Sequence, residues 1–95
     1  MTTPNTVVAV FYMKDCPSCH AYLPKLKQIA KQYPDVPLFI MEANEYGQEA
    51  DRFNVRAVPV TLVLRRPYGA IRVEGDIPKD QIDWIFRTAQ VHSDS

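Results

Sequence analysis

The chain lacks any surplus charge: eleven lysines and arginines balance eleven aspartates and glutamates. Without a basic excess there is no electrostatic footprint for nucleic acid, and without an acidic tail there is none for a cationic partner. Long apolar runs are missing too. The run Val7-Val8-Ala9-Val10-Phe11-Tyr12-Met13 falls far short of the roughly 20 residues that cross a bilayer. It also has no basic segment ahead of it, so the reading is a cytoplasmic protein with no membrane association and no export segment. Internal repeats, linkers and low-complexity tracts are absent. Cysteine is scarce, with only Cys16 and Cys19 present. There is no second Cys-x-x-Cys, and a closed structural zinc site takes four ligands, so no metal is expected.

The chain does hold enough apolar residues for one core. Its 95 residues, 46% hydrophobic and 23% charged, fit one globular domain over 1–95, with 1–6 and 92–95 as flexible ends. Val7 to Met13 is nearly continuous in apolar side chains, as expected of a strand buried on both faces. From Pro17 the period changes: Tyr22, Leu23, Leu26, Ile29, Ala30 and Tyr33 recur at helical steps. Pro17 suits the first helical turn, whereas Pro24 lies inside the helix and is expected to kink it. Val36 to Met41 is a second strand. Asn44 to Asn54 holds a short helix, with Ala50 and Phe53 facing inward. Val60 to Leu64 and Ala70 to Val73 are two further strands joined by the turn Arg65-Arg66-Pro67-Tyr68-Gly69. A last helix follows Gly75, with Asp76 as its expected N-cap, Ile82, Ile85, Phe86 and Ala89 as its buried stripe, and Trp84 as a packing residue.

This β-α-β-α-β-β-α order specifies an α/β fold. A four-stranded mixed sheet is flanked by three helices, with a parallel right-handed crossover first and an antiparallel pair last. The two thiols fall at the first strand-to-helix junction, in Met13-Lys14-Asp15-Cys16-Pro17-Ser18-Cys19-His20. Three positions apart, they can close one small disulfide and reopen. In the cytosol such a pair serves catalysis or metal binding rather than stapling. The run also matches a c-type haem attachment motif, but Met13 and Met41 lie in strands and no export segment accompanies it. Zinc would find Cys16, Cys19 and His20, with His92 away in the tail.

Four features together resemble the thioredoxin fold from about Val7 to Val91. They are Cys16-Pro17-Ser18-Cys19 after the first strand, Pro24 five residues further on, Val58-Pro59 just before a strand, and Gly75 after the last strand. The resemblance implies a dithiol-disulfide oxidoreductase that reduces protein disulfides on its own cysteines with no bound cofactor. It implies a cis peptide at Val58-Pro59, and a substrate groove bordered by Val58, Pro59, Gly75 and Tyr12. Its departures matter equally. The buried aspartate of thioredoxins falls at Val10, its accompanying lysine falls near Ile40, and the leading strand-helix unit is missing. Cys-Pro-x-Cys and Val58 look more like glutaredoxins. Asp15-Cys16-x-x-Cys19-His20 resembles redoxins that feed electrons to ribonucleotide reductase. Thioredoxin reductase and glutathione both stand as electron sources, and disulfide-containing proteins as partners of a monomer. A glutathione-dependent glutaredoxin, an iron-sulfur cluster shared through glutathione, and a non-catalytic binding module on the same scaffold are the alternatives.

Within that resemblance, Cys16 is expected to cap its helix, where unpaired N–H groups and the positive dipole end favour a thiolate. Cys16 is therefore the expected nucleophile and Cys19, one turn inward, the resolving thiol. Lys14 helps if it folds over the sulfur, and Asp15 opposes it. With Val10 in place of the acid, the proton from Cys19 goes to water, to the leaving thiolate or to His20, which sits four residues after Cys16.

Overall fold

The computed structural model describes residues 6–65 and 69–93. The elements are β1 (Thr6–Tyr12), α1 (Pro17–Ala30), β2 (Leu38–Glu42), α2 (Gly47–Arg52), β3 (Val60–Arg65), β4 (Gly69–Glu74) and α3 (Lys79–Ser93), in the order expected. The sheet runs β2-β1-β3-β4. β1 pairs in parallel with β2 and antiparallel with β3, and β3 pairs antiparallel with β4. β1 is thus a central strand with both edges bonded. Its near-continuous apolar run follows from that, because alternate side chains enter two different cores.

On one face, Val8 and Val10 of β1 and Val63 of β3 pack with Tyr22, Leu26 and Ile29 of α1 and with Ile82, Ile85, Phe86 and Ala89 of α3. On the other, Phe11, Val60 and Leu62 gather with Ala50 of α2, and Phe53 packs beside them. The helical stripes read from the 3.6-residue period are the buried ones. Pro24 lies on the exposed side of α1, and helical backbone continues through it.

Several boundaries move, each for a local reason. Thr6, expected in a flexible end, is the first residue of β1; it pairs with Arg65 and is buried. Helix α3 likewise continues to Ser93. Residues 1–5, 66–68 and 94–95, which hold the remaining ends and most of the predicted turn, lie outside the described residues. β2 starts at Leu38; Pro37 has no N–H to give to a ladder, although its carbonyl accepts the Val8 N–H at 2.9 Å. Asp76 does not cap α3. The Pro78 carbonyl accepts the Gln81 and Ile82 N–H groups at that end, and Asp76 pairs with Lys25 at 2.7 Å. Trp84 is not a packing residue and is 57% exposed. Two positions after Ile82, it points away from the Ile82-Ile85-Phe86-Ala89 stripe.

Candidate active site

Cys16 occupies the N-cap of α1, with extended backbone at φ −103° and ψ 107°, and Pro17 provides the first helical residue. The cap is made by sulfur: the Cys19 N–H donates to Cys16 Sγ at 3.1 Å. The Ser18 hydroxyl lies 3.3 Å from the same atom. Cys16 and Cys19 are joined as a disulfide. Their surroundings differ sharply, since Cys19 is 1% exposed whereas Cys16 is half-buried and reachable. When the pair is reduced, the helix N-terminus, one backbone N–H and one hydroxyl all favour negative charge on the outer sulfur.

The Val58-Pro59 peptide is cis, and the Val58 carbonyl oxygen faces Cys16 Sγ at 3.6 Å. Gly75, at φ +93°, donates its N–H to the Pro59 carbonyl at 2.8 Å. Three segments distant in sequence are therefore brought together beside the disulfide. The left-handed backbone at Gly75 is one that residues with a Cβ rarely adopt. Tyr12 is half-buried at the end of β1, where its carbonyl accepts the Ala43 N–H. It lines neither of two hollows beside the disulfide.

Those hollows flank Met13, a position considered above only as a haem ligand and not as part of a binding surface. One, of about 340 Å³, is lined by Met13, Lys14, Asp15, Cys16, Glu42, Asn44 and Glu45. The other, of about 300 Å³, lies between α2 and Val58, and Met13 borders it too. Met13 is 37% exposed, an apolar contact next to the reachable sulfur. Lys14 does not lie over the sulfur; its ammonium pairs with Glu45 at 3.6 Å. His20 Nε2 lies 2.7 Å from the Lys14 carbonyl oxygen. Because a carbonyl only accepts, Nε2 carries the proton.

Glu42 was the other residue missed. It is 4% exposed, and its Oε1 accepts the Asn44 and Glu45 N–H groups at 2.6 and 3.1 Å. Burial opposes its ionisation, yet those bonds, with the backbone and charge of Lys14, outweigh it and hold the carboxyl below its usual range. An acidic residue ending an apolar strand was the available signal. Deeper in, Val10 is fully buried and pairs with Thr61 across the ladder. The hydroxyls of Tyr22, three residues after Cys19 on α1, and of Thr61 on β3 bond at 2.7 Å in the core. Burial chiefly raises the Tyr22 phenol above its ordinary value, against the opposing Thr61 bond, so this region holds neutral hydroxyls.

A Ser18→Ala variant isolates one of the donors to Cys16. Hydrogen bonds to charged groups are worth about 1.5–3 kcal/mol when shielded and less when exposed. Ser18 is exposed, so the Cys16 thiol pKa is expected to rise by about half a unit to one unit. Thiolate absorbance at 240 nm against pH measures it, and an unchanged titration would remove Ser18 from the site.

A Cys-x-x-Cys disulfide capping a helix and facing a cis-proline at the ends of the two central strands of this four-stranded sheet defines the thioredoxin-like class. The sequence model of the family described as thioredoxin matches residues 2–87, and the chain belongs to that family. It is 40% identical over 49 residues to thioredoxin-like protein YdfQ of Bacillus subtilis (strain 168), a match spanning 52% of this chain and 44% of that protein. To thioredoxin-1 of Saccharomyces cerevisiae it is 28% identical over 72 residues, 76% of this chain and 70% of the yeast protein. Among solved structures, the short form of spinach chloroplast thioredoxin f superposes with a TM-score of 0.79 at 25% identity. That match covers 92% of this chain and 78% of the spinach chain. Within the described residues no helix is long and apolar enough to cross a membrane.

Proposed function

We propose that this protein reduces disulfides in client proteins, working as a monomer in the cytoplasm. The observation that carries the reading is the asymmetry of the pair, with Cys16 reachable at the helix cap opposite Val58 and Cys19 buried behind it. In the reduced protein the Cys16 thiolate attacks one sulfur of a client disulfide. A mixed disulfide forms and the first client sulfur leaves as thiolate. Cys19 then gives up its proton to the client thiolate that has just left and attacks Cys16 Sγ, which releases the second client sulfur as a thiolate that takes its proton from water. The client gains two electrons, and the protein is left with the Cys16–Cys19 disulfide. The Val58 backbone and the Gly75 turn border the groove where an extended client segment can lie as an added strand.

Thioredoxin reductase with NADPH is the favoured electron source. The hollow beside Cys16 presents Asp15, Glu42 and Glu45 against Lys14 alone, and Lys14 is already paired with Glu45. Glutathione carries two carboxylates and one ammonium, so it meets net repulsion there. Ribonucleotide reductase is the client that the Asp15-Cys16-x-x-Cys19-His20 resemblance singles out. The experiment is reduction of the oxidised protein by thioredoxin reductase and NADPH, run beside reduction by glutathione. Rapid reduction by the reductase is expected; reduction by glutathione alone would overturn the assignment in favour of a glutaredoxin.

A further inference from the structure

The loop from Gly75 to Pro78, between β4 and α3, carries the Gly75 N–H that donates to the Pro59 carbonyl at 2.8 Å. One internal bond closes it, from the Ile77 N–H to the Gly75 carbonyl at 3.1 Å. The Ile77 side chain packs against the core beneath α1 and α3, which anchors the far end of the turn. Gly75, at φ +93°, has no side chain with which to anchor the near end.

A further hold on this loop comes from α1. Lys25 lies six residues after Cys19, and its ammonium meets two groups of the loop at once. It is 2.7 Å from Asp76 Oδ1 and donates to the Ile77 carbonyl at 3.1 Å. An ammonium carries three donors on a flexible stem, so one group can serve both acceptors. The Lys25 and Asp76 side chains are 27% and 31% exposed. Water and salt therefore screen this pair less than one on an open surface.

We infer that Lys25 is a positioning residue for the client groove: it brackets the Gly75–Ile77 turn and so holds the Gly75 backbone against the Val58-Pro59 peptide. The groove rests on the proposed disulfide reduction; the bracket itself does not. Among the described residues, the groups bonded to the Cys16 sulfur are the Cys19 N–H, the Ser18 hydroxyl and the Val58 carbonyl. None of them belongs to the turn. Removing the bracket thus leaves the surroundings of the nucleophile in place and lets one wall of the groove move. An extended client segment that lies against both walls loses binding. A small disulfide that meets only the sulfur does not.

The test uses the full-length chain and two readouts. Amide hydrogen exchange, followed by NMR, reports the Gly75 N–H. Lys25→Met keeps a long unbranched side chain without the ammonium, and is expected to speed that exchange by about threefold to tenfold, the range of one net hydrogen bond. The reduced protein is also oxidised by insulin and, separately, by bis(2-hydroxyethyl) disulfide, which is small and uncharged. The ratio of the insulin rate constant to the small-disulfide rate constant is expected to fall by about threefold to tenfold in Lys25→Met. Lys25→Arg, whose guanidinium can donate to both acceptors, is expected to restore most of both readouts. Asp76→Ala removes one of the two acceptors and is expected to act in the same direction by less. Combined with Lys25→Met it is expected to add little, because both act through one ammonium.

Unchanged Gly75 exchange in Lys25→Met would overturn the bracket, as would full additivity of the two substitutions. Faster exchange with an unchanged ratio would overturn the role in client binding. Equal losses toward insulin and the small disulfide would do the same, since they mark a general loss of folded protein. A wild-type chain that reduced neither disulfide would end the proposed function, while Gly75 exchange would still decide the bracket.

Discussion

Replacing Cys16 with serine is expected to abolish disulfide reduction, with the rate falling roughly a thousandfold or more to reagent background. Serine retains the cap geometry but not a group that ionises near neutral pH, so the nucleophile alone is removed. Cys19→Ser is expected to behave differently. Its remaining Cys16 thiolate still attacks, and the mixed disulfide with the client accumulates because no second sulfur resolves it. Intact-mass measurement of the trapped adduct, beside a turbidity assay of insulin reduction, checks both variants. The asymmetry follows from exposure. A client disulfide can meet the half-buried Cys16 sulfur, whereas Cys19 at 1% exposed is met only from Cys16 itself. Trapping by Cys16→Ser instead of Cys19→Ser would reverse the assignment, and wild-type rates in both would end the oxidoreductase reading.

The elements and the reacting pair were legible in the sequence because each is encoded within a short window. Cys16, Pro17 and Cys19 stand within four residues of one another, and the stripe Ile82, Ile85, Phe86 and Ala89 repeats the helical period. Position against partners distant in the chain was not legible. Lys14 was read from its charge and its nearness to Cys16. Its ammonium goes instead to Glu45, which approaches only once β2 lies parallel to β1. Glu42 drew no attention because its meaning comes from the N–H groups it collects, and a sequence displays side chains rather than backbone donors. His20 was expected to share a helix face with Cys16, and its ring instead reaches back to the Lys14 carbonyl. Asp76 has the residue type of a cap, but competition from Lys25 decided its place. For Lys14 and Asp76 an ionic partner distant in the chain outweighed the local preference, whereas for Glu42 and His20 the deciding partners are nearby backbone groups that become available only once the chain has turned.

Phe86→Ala is expected to produce the largest loss of stability, about 3–5 kcal/mol. Against the roughly 5–15 kcal/mol that holds a domain together, such a loss leaves a small protein close to its folding threshold. Phe86 is fully buried, and its ring stacks on Tyr33 at a centroid distance of 5.8 Å. The Tyr33 hydroxyl donates to Asp83, whose other oxygen accepts from Arg87. Truncating Phe86 therefore opens a cavity and also frees one side of the seam that joins the end of α1 to α3. The Tyr33 bond first, and Arg87 with it, hold the Asp83 carboxyl below its ordinary value against the cost of burial. Because the folded-state pKa is the depressed one, that contribution is full above the unfolded aspartate value of about 3.9 and is lost as pH falls through the folded value. Comparison by urea unfolding at neutral pH keeps it constant. Trp84→Ala supplies the contrast on the same helix: a larger ring is removed, but from an exposed position, and the expected change is within about 0.5 kcal/mol. Equal midpoint shifts for the two variants would mean that α3 packs through a different face from the Ile82-Ile85-Phe86-Ala89 stripe.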